Sequence, residues 1–186
     1  MFFVIIGVVG SIASGKGVVS DILKKKGFIP LMFSDILRKE LSEKGIEITR
    51  KNLQDYANEL RKNFGADYLA RRLIAKTSSS GNYVLEGIRN PAEIYALRES
   101  GKTFILGIDA PLERRFQWII MRGKENDPHT LDEVKKTDDR DNGVGEPEWG
   151  LQVKKSMALA DVVVINDKTK EHLEKKIDKI ISKLKL

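Results

Sequence analysis

Five short apolar runs, bounded by glycine, proline or small polar residues, divide this 186-residue chain. The first, Val4-Ile5-Ile6-Gly7-Val8-Val9, is long enough for one buried strand and turns through Gly10-Ser11-Ile12-Ala13-Ser14-Gly15-Lys16-Gly17. Apolar residues at 18, 19, 22 and 23 follow with the spacing of a helix face. Further strands are predicted at Phe28–Phe33, Asn82–Gly87, Thr103–Asp109 and Val162–Ile165. Helices are predicted between and after them, over about 35–44, 50–64, 67–76, 91–98, 111–122, 151–160 and 170–184. Strands that alternate with helices in this way predict an α/β fold. Its five-stranded parallel sheet is covered on both faces, with ligands at the carboxyl ends of the strands.

Local signals place the ends of these elements. Lys24-Lys25-Lys26-Gly27 reads as a helix end, with cations in the last turn and glycine just beyond. Ser34 is the expected N-cap of the second helix, which Gly45 ends, and Thr49 that of the third. Pro91 and Pro111 are expected at the first helical position of their helices. The stretch 123–150 turns polar; Thr130-Leu131-Asp132-Glu133 has capping-box form, and Gly143, Gly145 and Pro147 mark a flexible segment. With no internal repeat, the length suits a single domain over 1–186.

Composition narrows the setting. An apolar content of 41% fills a substantial core, and the absence of cysteine excludes disulfides and thiolate metal sites. A reducing compartment, the cytoplasm, is therefore expected. The N-terminal run lacks a basic flank and is broken by glycine, unlike a signal peptide. No apolar run of about 18 residues exists to span a membrane. The net charge of +6 favours anionic partners, nucleotides or nucleic acid, but 33 basic and 27 acidic residues are interspersed. A generic solvated surface explains that excess equally well.

The candidate chemistry gathers at the strand ends. Glycines at 10 and 15 let the backbone curl so that amides of Gly10, Ser11, Ala13, Ser14, Gly15, Lys16, Gly17 and Val18 cradle phosphates at a helix N-terminus. Lys16 adds a mobile cation. The Ser or Thr that usually follows such a lysine and ligates magnesium is absent, since Gly17 and then Val18 stand there. Glu86 and Asp109 close the third and fourth strands and are the candidate metal carboxylates, unless each merely caps the next turn. Asp35 and Arg38, three apart, share a helix face. There the carboxylate can take a proton from a substrate hydroxyl and the guanidinium can grip a phosphate, or the two can form a plain surface ion pair. Arg89 lies just past a strand end, facing the same cleft. Arg122 is a candidate to close over a nucleotide. Arg140 is another, but it stands among Asp138, Asp139 and Asp141 and can equally be their partner. His129 is isolated in a loop, and His129 and His172 make no metal pair.

These motifs resemble the P-loop nucleotide kinase superfamily over nearly the whole chain. Gly15-Lys16-Gly17 is similar to the adenylate kinase form of the loop, which continues with Thr where this chain has Val18. Ser34-Asp35-Ile36-Leu37-Arg38, Glu86-Gly87-Ile88-Arg89 and Ala160-Asp161-Val162-Val163-Val164-Ile165-Asn166-Asp167 resemble segments of dephospho-CoA kinase and related nucleotide kinase-like proteins. The resemblance implies a three-layer P-loop NTPase fold with an acceptor-binding helical insertion at about 34–78 and a small lid at about 123–150. It implies Asp35 as the acid near the acceptor, Arg89 as an acceptor-phosphate ligand, Arg122 and Arg140 as lid arginines, and Asn166 beside the adenine. The function so implied is transfer of a phosphoryl group from ATP, with Mg2+, to dephospho-CoA or a nucleoside monophosphate. A nucleotide-binding switch or nucleic-acid-associated ATPase is the competing expectation, supported by the net charge and the missing hydroxyl. No Asn-Lys-x-Asp guanine motif is present.

Overall fold

A computed structural model describes residues 4–123 and 127–184. Its five strands are β1 (Val4–Gly10), β2 (Ile29–Met32), β3 (Tyr83–Ile88), β4 (Lys102–Asp109) and β5 (Val162–Ile165). They pair in the order β2-β3-β1-β4-β5, all parallel. Every residue of β1 is buried, as a central strand with helices on both faces requires. Its side chains alternate between two cores. Ile5 and Val9 pack with α2 (Phe33–Glu43), α3 (Arg50–Phe64), α4 (Tyr68–Ile74) and α5 (Pro91–Ser100). Val4, Ile6 and Val8 face the other way, against α1 (Lys16–Lys25) and α9 (Lys170–Lys183). A third, smaller cluster joins Ile12 of the loop after β1 to Ile119 of α6 (Leu112–Arg122) and Val134 of α7 (Leu131–Asp141). The segment that follows α6 thus packs directly on the glycine-rich loop.

Thr49 accepts the amide of Asn52, Thr130 and Glu133 form the full capping box, and Pro91 begins α5, all as expected. Other ends differ. α2 starts at Phe33 from an extended Met32, so Ser34 lies inside the first turn and caps nothing. Phe33 is buried in the core, so its packing rather than the hydroxyl sets the start. Pro111 occupies the N-cap of α6 instead of its first helical position. The predicted helix over 151–160 shrinks to α8 (Val153–Met157). Its late start has a cause in Asn90 and Arg89: the Asn90 amide donates to the carbonyls of Glu148 and Gly150, and the Gln152 amide bonds the Arg89 carbonyl at 2.7 Å. The chain is therefore held non-helical until Gln152. Among the described residues no helix is long and apolar enough to cross a membrane.

Candidate phosphate-binding site

The loop between β1 and α1 owes its shape to backbone. A Cβ on Gly10 would stand 2.0 Å from the Ile108 carbonyl oxygen, because β1 and β4 are in register there. Gly15, at φ 104°, caps α1 in the left-handed region, and a Cβ on it would stand 2.4 Å from Asn166 Nδ2. Ala13 takes φ 56° without being glycine, an uncommon and strained conformation. Asn166, past the end of β5, donates its side-chain amide to the Ser14 carbonyl at 3.0 Å and so ties the far edge of the sheet to the loop. Lys16 Nζ donates to the carbonyls of Gly10 (3.0 Å) and Ser11 (2.7 Å). Burial, aided by the nearby Arg89 charge, lowers the Lys16 pKa to about 7, against the opposing pull of Glu86.

Glu86, near the carboxyl end of β3, faces this lysine. Its Oε2 is buried with no hydrogen-bond partner among the described residues, and burial raises its pKa despite the charges of Lys16 and Arg89. The same Oε2 lies 4.0 Å from the position of a Cβ on Gly17. An unsatisfied carboxylate beside the place of the missing hydroxyl fits a hard cation that keeps most of its shell as water and phosphate. Asp109 is not brought there. It lines neither cavity, and its Oδ1 accepts the Ala110 amide at 2.9 Å, capping its own turn. Among the described residues no group of three His, Cys, Asp or Glu converges for a metal.

Two cavities open from the loop. One, of about 480 Å³, runs past Lys16, Gly17 and Val18 to Trp118, Arg122, Asn166 and Lys168. The other, of about 630 Å³, extends from Lys16 and Glu86 to Asp35, Arg38, Arg50, Arg61 and Arg89. Lys16, Glu86 and Arg122 border both. Asp35 and Arg38 are exposed, with no salt bridge between them, so the surface ion-pair reading does not hold. Arg89 is in the cavity wall as expected, but it is not alone: its Nη1 bonds Asp141 Oδ2 at 2.6 Å.

The tetrad Asp138-Asp139-Arg140-Asp141 is divided by the helix. Val134, Asp138 and Asp141 are spaced at one, two turns along α7 and face inward. Asp138 pairs bidentately with Arg115 at 3.0 and 2.6 Å, and Arg115 also donates to the carbonyls of Ala110 and Ile12. Asp141 receives Arg50 and Arg89 on one oxygen, both at 2.6 Å, and Gln54 on the other at 2.8 Å. Arg140 points elsewhere, to Asp55 and Glu146, and lines neither cavity. Arg122 does line both, paired with Asp127. The expected lid segment includes residues 124–126, which lie outside the described residues.

Beneath the larger cavity Arg61 of α3 and Glu93 of α5 form a buried ion pair, with Arg61 Nε and Nη2 on Glu93 Oε1 at 3.0 and 2.8 Å. The other Glu93 oxygen accepts the amides of Arg89 and Asn90. One carboxylate thus caps α5, compensates Arg61 and fixes the backbone that carries Arg89. Arg50, Arg61, Trp118 and Asp141 carry no sequence signature of a place in the site. Asn90-Pro91-Ala92-Glu93 does have capping-box form, and that signal points to Glu93. The arginines of α3 have no comparable signature, since charged residues on an amphipathic helix usually face water.

A family model described as an AAA domain matches residues 9–135. The UPF0200 protein of Pyrococcus horikoshii is 32% identical over 187 residues, covering 97% of each chain. The UPF0200/UPF0201 protein of Archaeoglobus fulgidus is 34% identical over 186 residues, and this chain spans about half of that relative, 55%. The chain belongs to the AAA domain and UPF0200 families. Among solved structures the UPF0200 chain is similar to TT1252 from Thermus thermophilus (19% identity, TM-score 0.61, 99% of both chains). It is also similar to shikimate kinase from Aquifex aeolicus (18%, TM-score 0.56, 96% of both) and to dephospho-CoA kinase from Campylobacter jejuni (17%, TM-score 0.52, 96% of both). At these identities the likeness is one of fold, a P-loop kinase-like fold.

Proposed function

We propose that this UPF0200 protein transfers the terminal phosphoryl group of ATP to a hydroxyl of a small nucleotide-type acceptor of the dephospho-CoA kind. A nucleoside monophosphate is the other acceptor class the cleft suggests. The observation that carries the reading is the larger cavity, which joins the phosphate loop at Lys16 and Glu86 to Asp35 and a wall of arginines. Phosphoryl transfer rests on position and charge, so a cradle of amides, a lysine and an acceptor clamp are the parts it needs. The smaller cavity then takes the nucleoside of ATP, between Trp118 and Asn166. Helices α2–α4 form the acceptor side, and the segment around α7 serves as the lid that excludes water. Mg2+, when bound, would neutralise charge on the transferred group, and Glu86 is the residue that fits it.

The choice of a hydroxyl rests on Asp35. It is exposed in the cavity and free of Arg38, so its carboxylate is available as a base. A phosphate acceptor is already ionised and needs none. The test is acceptor-dependent ADP formation with ATP–Mg2+ and a panel of nucleoside monophosphates and dephospho-CoA. Asp35→Asn is expected to lower kcat by about 100-fold or more with a hydroxyl acceptor. A near-normal rate removes the base, and equal ADP with and without every acceptor removes the kinase reading in favour of an ATPase or switch.

A further inference from the structure

We propose that Arg50, Arg89 and the buried Asp141 between them form an anion subsite that accepts a singly charged group of the acceptor, a carboxylate or phosphodiester, and rejects a phosphomonoester dianion. The inference rests on reading the larger cavity as the acceptor side. Arg50, near the start of α3, and Arg89, after β3, converge on one oxygen of Asp141 from α7. Three elements distant in sequence meet there, and the Asp141 side chain is only 1% exposed. Two guanidiniums share a single carboxylate, because Gln54 on its second oxygen is neutral. The cluster therefore keeps one positive charge in excess.

That excess is turned toward ligand. Arg50 and Arg89 both border the cavity, with side chains 27% and 21% exposed, while each spends only one nitrogen on Asp141. Arg50 Nε is buried and has no partner among the described residues, an unmet donor of the kind that native proteins rarely leave empty. Burial lowers the Arg50 pKa, against the opposing pull of Asp141. Asp141 stays ionised: burial pushes its pKa up, but the Arg89 and Arg50 charges more than reverse this and leave it below the usual carboxylate range.

A single negative charge neutralises the cluster. A phosphomonoester, which carries close to two charges near pH 8, would add a second beside a fixed carboxylate that is buried, where screening by water is reduced. Among the described residues Glu86 also acts on Arg89, but its larger pull is on Lys16. Glu93 is committed to Arg61 and to two backbone amides, and Asp127 to Arg122. Asp141 is thus a specificity-determining residue, and it acts through the arginines rather than on the reacting atoms.

The experiment is calorimetric titration near pH 8 of the full chain loaded with AMP-PNP–Mg2+, which occupies the phosphate loop. The probes are AMP for the phosphomonoester, 3′,5′-cyclic AMP for a singly charged phosphodiester on the same nucleoside, and gluconate for a carboxylate. Wild type is expected to bind AMP at least tenfold more weakly than the better of the other two, and that winner identifies the source of the charge. Asp141→Asn is expected to shift the ratio toward AMP by at least tenfold. Arg50→Gln, at a partly exposed side chain, makes the cluster neutral and is expected to weaken the preferred probe at least tenfold even where Asp141→Asn fails to fold. AMP as the tightest ligand of wild type, a ratio unmoved by Asp141→Asn, no binding of any probe, or binding unaffected by Arg50→Gln each overturns the subsite. Selective binding without phosphoryl transfer would instead remove the kinase reading and leave the subsite standing.

Discussion

At the loop end of the cleft, the walls are backbone. Gly10 fits because a Cβ there meets the Ile108 carbonyl, and Gly15 fits because its φ is left-handed where it caps α1. At the α3–α7 end the walls are side chains. Arg50, Arg61 and Arg89 are held by Asp141 and Glu93 from helices far away in sequence, and several of these groups are almost wholly buried. The first kind of site depends on a few contiguous residues with unusual backbone freedom. The second depends on charge compensation across the fold, so one side chain there is worth more to stability than one at the loop.

The sharpest way to break this contrast is at Glu93. Arg61 and Glu93 have side chains 1% and 0% exposed, and Glu93→Gln leaves a guanidinium buried without its counter-charge. The expected loss is about 3–5 kcal/mol, seen as a fall of about 10 °C in Tm, and a loss below about 1 kcal/mol would show that the network contributes little. Next is Gly10→Ala, which forces the loop away from β4. It is expected to destabilise by about 1–3 kcal/mol and to abolish ATP binding, as denaturant unfolding and nucleotide titration would report. ATP binding that survives this change would mean that the loop shape is not what holds the phosphates.

The smallest effect is a proton. With its pKa at about 7, free Lys16 is mostly neutral near pH 8 and mostly charged near pH 6. A triphosphate raises that pKa by supplying negative charge, so binding is expected to take up about one proton near pH 8 and almost none near pH 6. Calorimetry of ATP binding in buffers of different ionisation enthalpy measures this directly. Lys16→Ala should remove the uptake, and uptake that persists in that variant would assign the proton to another group such as Glu86.

How far the sequence could be read follows from the same contrast. The strand runs, the loop, Thr49 and Thr130 were legible because each is a local pattern with a local cause. Ser34 misled because the burial of Phe33 outweighed a hydroxyl in setting a helix start, and residues 151–152 because the Arg89 carbonyl takes the Gln152 amide while Asn90 holds Gly150. Arg140 and Asp141 are the clearest case. Adjacent in sequence, one points to Asp55 and Glu146 and the other into the cleft, since neighbours on a helix are rotated about 100° apart.

By itself, then, the sequence determined the parallel α/β sheet and the glycine-rich loop at the end of its first strand, because hydrophobic period and glycine placement act within a few residues. Only the tertiary structure decided which charges meet: that Asp109 caps its own turn, that Glu86 is left unsatisfied beside Gly17, and that Arg50 and Arg89 share Asp141. Charge pairing over such separations in sequence depends on how the helices pack, and no local pattern of residues records that.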